Sequence, residues 1–168
     1  LKYRIEYTNK LLSIFKHLSV LDRQKAVNKV LQGLFELTDA RRGFIMTINE
    51  YDSLQIRYSI GIPEQELEDE IPLSRTLIKE ALKKQDILIV SNIAASKYKD
   101  NQSVGELKLT SVMCIPLVTS EKTIGVIYID TDCEKNNINE LWVDIYSAFG
   151  SQAAICLDNA LLYEKLKR

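Results

Sequence analysis

Apolar residues along this chain switch between helical and strand spacing, and the switches outline the fold. Leu1, Ile5, Leu12 and Phe15, with Leu11 and Leu18 beside them, form a stripe at helical spacing that Thr8 does not break. They predict an amphipathic helix over 2–19. Asp22 is placed to cap a second helix, in which Val27, Val30, Leu31, Leu34 and Leu37 follow the i, i+3, i+4, i+7 pattern. The short link between them makes either a helical hairpin or a kinked continuation. After Gly43 the period falls to two. Phe44, Met46 and Ile48 alternate with Ile45 and Thr47, 49–53 is turn material, and Leu54, Ile56, Tyr58 and Ile60 alternate with Gln55, Arg57 and Ser59. The second run reads as a strand with one buried face.

An acidic segment, Glu64–Glu70, follows as a solvated turn or short helix. Ser74 is expected to cap a short helix carrying Leu77, Ile78, Ala81 and Leu82, and Ile87–Val90 is a compact strand. Residues 91–109 are polar and weakly periodic, a length of connection that in a compact domain tends to serve as a lid or binding loop. Two β-branched runs, Ser111–Val118 and Thr123–Asp130, flank the polar turn Thr119–Lys122 and predict a hairpin. Neither alternates cleanly, so both strands are expected to be covered on two faces. After a polar loop from Thr131 to Asn137, the region 139–168 carries two seven-residue stripes. One is Leu141, Ala148, Ile155 and Leu162; the other is Trp142, Phe149, Cys156 and Tyr163. With Ile145, Ala153 and Ala160 the apolar surface is wider than one sheet can cover, and the first helix or a second copy of the chain is expected to cover the remainder.

The elements amount to an α+β domain, helices outside a mostly antiparallel sheet of five strands. With 168 residues one domain is expected, and 46% hydrophobic with 27% charged residues fits a soluble globular chain. The net charge of -1 gives no basic footprint for nucleic acid. No apolar run reaches the length of about 18 residues that a membrane span needs. Cys114, Cys133 and Cys156 are odd in number and widely spaced, so neither a disulfide framework nor a zinc site is expected, and a cytoplasmic location is. Starting at Leu1 rather than Met, the chain is expected to be a piece of a longer polypeptide.

At Ser111-Val-Met-Cys-Ile-Pro-Leu117, Gly125-Val-Ile-Tyr-Ile-Asp130 and Gln152-Ala-Ala-Ile-Cys-Leu-Asp-Asn-Ala-Leu-Leu-Tyr163 the chain resembles GAF domains, small-molecule-sensing modules of signalling proteins. Ser74-Arg-Thr-Leu and Gln102-Ser-Val resemble GAF domains fused to bacterial effectors. The resemblance spans nearly the whole chain, read as one domain over 1–168: N-terminal helices to 38, a sheet over 43–131 with its lid loop 91–109, and a signalling helix over 139–168. It implies an antiparallel sheet of five to six strands with the terminal helices on one face. It also implies a ligand pocket on the other, roofed by the short helix and the loop. It further implies a homodimer through the terminal helices and a fused effector outside this chain.

The signature of cyclic-nucleotide-binding relatives is absent, because the matching positions hold Asp130-Thr131, Ile138 and approximately Trp142-Val143. The lone His17 is far from any cysteine, which removes a bilin attachment pair and leaves too few ligands for a metal. No cofactor is expected. Methionine sulfoxide-reducing relatives use cysteines near the pocket loop, and 91–109 has none. No nucleophile–base set or Gly-rich phosphate loop stands out either. Pocket contacts are expected from Tyr58, Ser91, Tyr98, Ser111, Met113, Tyr128 and Asp130. The functional expectation is a non-enzymatic regulatory domain sensing a small molecule. A spacer that only dimerises, or a free methionine sulfoxide reductase, are the alternatives.

Overall fold

A computed structural model describes residues 2, 3, 5, 6, 9, 23–62, 72–101, 104, 105, 108–120 and 122–166. Helix α1 (Arg23–Thr38) leads into strands β1 (Arg42–Ile48) and β2 (Leu54–Ile60). Helix α2 (Pro72–Lys84), strand β3 (Leu88–Val90) and a 3-10 turn (Ile93–Ala95) follow. Strands β4 (Ser111–Val118) and β5 (Thr123–Thr131), a 3-10 turn (Glu140–Trp142) and helix α3 (Val143–Leu166) complete the order. The strands form one antiparallel sheet in the order β2-β1-β5-β4-β3. The hairpin of β4 and β5 lies at its centre, which explains the unbroken apolar runs: both strands are covered on both faces.

Alternation along the strands divides the core into two layers. Ile45, Met113, Ile115, Leu117, Ile127 and Ile129 face α1 and α3, where they meet Val27, Leu31, Leu34, Phe149, Ala153 and Leu157. Phe44, Met46, Val112, Cys114, Val126 and Tyr128 face the other way and pack with Leu77, Ile78 and Ala81 of α2, Ile93 and Leu109. The expected arrangement, terminal helices on one face and the short helix with the loop on the other, holds for α1, α3, α2 and the described loop residues. The proposed first helix and the Asp22 cap lie mostly outside the described residues; Lys2, Tyr3, Ile5, Glu6 and Asn9 are helical.

Three local expectations are corrected. The short helix is not capped at Ser74, because it already begins at Pro72, whose fixed φ and missing N–H suit a first helical position. The last helix is preceded by a separate 3-10 turn, with the Asn139 side chain accepting from the Leu141 N–H. Strand β2 does not keep one apolar face. Ile45 pairs with Tyr58 and Met46 with Ile56, so Arg57 is an extra residue and a β-bulge. Leu54 and Ile56 therefore pack towards α2, whereas Tyr58 and Ile60 pack towards α1 and α3.

The loop between β5 and α3 is tied to both terminal helices. Asn137 donates from its backbone to the Thr38 carbonyl (3.1 Å) and from Nδ2 to the Leu37 carbonyl (2.8 Å), and the Tyr146 hydroxyl donates to the Asn137 carbonyl. Thr131, buried at the end of β5, donates to the Asp39 carbonyl (3.1 Å). The two Asn137 bonds cap the last carbonyls of α1, those of Leu37 and Thr38, which intrahelical bonding leaves open.

Candidate functional site

The α2 face of the sheet holds the polar groups that alternation selects. Tyr128 and Asp130, two apart on β5, project to the same side, and the Tyr128 hydroxyl donates to Asp130 Oδ2 at 2.7 Å. Arg42 stands opposite Asp130 in the β1–β5 register. Its guanidinium grips the carboxylate at two points, Nε to Oδ1 at 3.0 Å and Nη2 to Oδ2. Both Asp130 and Tyr128 are fully buried. Such a charge is tolerated inside a protein only when paired and hydrogen-bonded, and the bidentate geometry does both. Burial first, then the Asp130 charge and hydrogen bond, push the Tyr128 hydroxyl well above its ordinary 10, so it is a fixed donor. Its ring stacks on Phe44 at 4.9 Å between centroids.

A second polar cluster lies where the loop meets α2. Glu80 accepts the Tyr98 hydroxyl on Oε2, and the Lys97 and Lys84 ammonium groups on Oε1 at 3.0 and 3.3 Å. These donors, Tyr98 foremost, hold the Glu80 carboxyl at about 2, below its ordinary 4.5. The Tyr98 ring packs at the edge of the apolar layer under α2.

Of the seven residues selected from the sequence, Tyr128 and Asp130 are brought together on this face, and Tyr98 lies in the segment bonded to α2. Ser111 and Ser91 meet elsewhere. The Ser111 hydroxyl, opposite Thr131 and on the α1/α3 side by alternation, donates to the Ser91 carbonyl (2.7 Å) and accepts from Asn136 (3.1 Å). Met113 and Tyr58 belong to the core layer under α1 and α3, Met113 by strand alternation and Tyr58 because of the bulge. They do not share a site with Tyr128. Arg42 and Glu80 were missed. The strand was expected to start only at Phe44, although Arg42 shares the parity of Phe44 and Met46. Glu80 sits beside the apolar stripe of α2, and nothing in the helical pattern singles it out.

Cys114 and Cys156 are buried, and burial, with Asp130 and Glu80 adding, pushes the Cys114 thiol far above its usual range. Cys133 is half-buried on the connection after β5 and accepts from Arg41 Nε at 3.1 Å. Among the described residues, no group of three or more potential metal ligands gathers, and no helix is long and apolar enough to cross a membrane.

A five-stranded antiparallel sheet between two terminal-side helices and a short helix with a long loop defines a class, and family comparison gives the same one. The model of the GAF domain matches residues 20–158, and the chain belongs to the GAF domain family. No curated protein sequence matches it. Among solved structures it is similar to the GAF domain/HD domain protein from Geobacter sulfurreducens (20% identity, TM-score 0.60, covering 84% of this chain and 98% of that one). It is also similar to a domain of a two-component sensor histidine kinase protein from Sinorhizobium meliloti (12%, 0.63, 86% and 96%). A third similar structure is the free methionine-R-sulfoxide reductase from Neisseria meningitidis, solved with its substrate (15%, 0.72, 95% and 91%). At these identities the likeness is one of fold.

Proposed function

We propose that this chain is the sensing domain of a bacterial signal transduction protein. In this reading it is cytoplasmic and non-enzymatic, dimerises through its terminal helices, and passes the occupancy of a small-molecule site to an effector outside the chain. The observation that carries the reading is the single sheet shared by two layers. Strands β1, β4 and β5 carry the Arg42–Asp130–Tyr128 group and the α2 contacts on one face and the seat of α1 and α3 on the other. The sensor-kinase and HD-protein settings of similar folds support it. A ligand shifts such a domain only by its differential affinity for two states. The burial of Cys114 and Cys156 supports a role without chemistry at those two thiols, Cys133 being half-buried, and no reduction of free methionine sulfoxide is expected in a turnover assay.

A panel of metabolites and cyclic nucleotides tested by thermal shift checks the sensing step. A true ligand at 100 times its dissociation constant adds about 2.7 kcal/mol and raises the melting temperature accordingly. If none does, the second reading takes over: a dimerising spacer. The packing under α2 favours that reading, since Phe44, Met46, Cys114, Val126 and Tyr128 are buried by the protein's own Leu77, Ile78, Ala81 and Ile93.

A further inference from the structure

The segment after the 3-10 turn at Ile93–Ala95 is folded by its own short bonds. Ser96 donates from N and Oγ to the Ile93 carbonyl (3.0 and 2.7 Å), Tyr98 N to Ser96 Oγ (3.1 Å), Lys99 N to the Ser96 carbonyl (3.3 Å), and Asn101 N to the Tyr98 carbonyl (3.0 Å). Such a run of turns ties 93–101 together through local bonds. Its upstream end is anchored: Ile93 is fully buried and its N–H donates to the Thr110 carbonyl at 2.9 Å, next to the start of β4. Its downstream part meets α2, and the bonds that Lys97 and Tyr98 make to α2 both end on one carboxylate, that of Glu80. The Lys97 ammonium also lies 5.2 Å from the Tyr98 ring centroid, so the two neighbours brace each other.

The contacts differ in strength. Lys97 and Lys84 are largely exposed, and ion pairs of that kind hold weakly. The Tyr98 bond is half-buried and charge-assisted, and its ring already lies against the apolar layer. Losing it frees a hydroxyl without dismantling the turns.

We propose that Glu80 is a latch: it holds the 96–101 segment closed over the edge of the α2 layer, and this segment opens as a unit, hinged at Ile93, when the Tyr98 bond is lost. That the latch covers a ligand site rests on the sensing role proposed above; the latch itself does not.

Amide hydrogen exchange on the whole chain, read by mass spectrometry, tests it with Glu80→Ala, Tyr98→Phe and, as a control, Lys84→Ala. Glu80→Ala and Tyr98→Phe are expected to speed exchange at 96–101 several-fold and leave β4 and β5 unchanged, while Lys84→Ala changes neither. Unchanged exchange at 96–101 in both of the first two variants overturns the latch. So does acceleration spread evenly through the sheet, which would mean general destabilisation. A thermal-shift panel in which no compound binds ends the sensing reading and leaves these exchange rates as they are, so the two failures are distinct.

Discussion

Glu80 gives the residue scale its sharpest expectation. Its carboxyl titrates near 2 in the folded protein against 4.5 ordinarily, with the Tyr98 hydroxyl the largest cause and Lys97 next. A depressed folded-state value means that the ionised form is the stabilised one. Its contribution is therefore complete above about pH 4.5 and is lost as the pH falls towards 2. The stability difference between the wild type and Glu80→Gln, measured by urea unfolding, is expected to be constant from pH 7 to 5 and to shrink steadily below. A difference that stays flat down to pH 2.5 would contradict the Tyr98 and Lys97 bonds. Tyr128 and Asp130 were legible in the sequence because β5 is a long, unambiguous strand and both share one parity. Their partner Arg42 was not, since pairing between β1 and β5 depends on a register that one sequence does not reveal.

At the scale of elements, close approach explains why particular glycines sit where they do. A Cβ built on Gly125 would lie 2.2 Å from the Met46 carbonyl oxygen, in the backbone of the neighbouring strand. A Cβ on Gly150 would meet Ile115 Cγ2 at 2.6 Å, which shows how closely α3 lies on β4. Gly125→Ala is expected to lower stability by about 1–3 kcal/mol, the usual cost of forcing extra volume into a packed site, because backbone cannot step aside as a flexible side chain can. Urea denaturation gives the value directly, and an unchanged midpoint would refute the close approach of β1 and β5. Most elements were readable from periodicity: the spans of β2 and β4 agree with the expected runs to the residue. What periodicity hid was facing. The alternation of Leu54, Ile56, Tyr58 and Ile60 implied one buried side, and a single extra residue divides the four between two layers.

At the scale of the molecule, the two stripes of the last helix part company. Trp142, Phe149 and Cys156 pack into the domain core, whereas Leu141, Ile155 and Leu162 are 79%, 53% and 50% exposed. Leu166, 86% exposed, extends the exposed stripe to the end of α3. A seven-residue apolar repeat on an exposed helix face is the pattern by which helices pair. The dimer proposed above places this stripe in its interface. Ile155→Glu combined with Leu162→Glu is then expected to convert a micromolar dimer to a monomer in sedimentation, with the melting temperature of the monomeric fold little changed. A wild type that sediments as a strict monomer would remove the stripe from that role. The sequence could report the width of the apolar surface; only the packed sheet shows which half is used internally.

The bulge at Arg57 has one more consequence, for the sheet as an exposed object. Strand β2 ends the order β2-β1-β5-β4-β3 and is an edge of the sheet that the described residues form. A flat edge of seven residues invites strands from other molecules to add on, the first step of aggregation. The bulge breaks that template midway. It increases the local twist and sends Leu54 and Ile56 to one layer and Tyr58 and Ile60 to the other. An incoming regular strand cannot match both halves in one register. The irregularity that divides Tyr58 from Ile56 thus guards one edge of the described sheet.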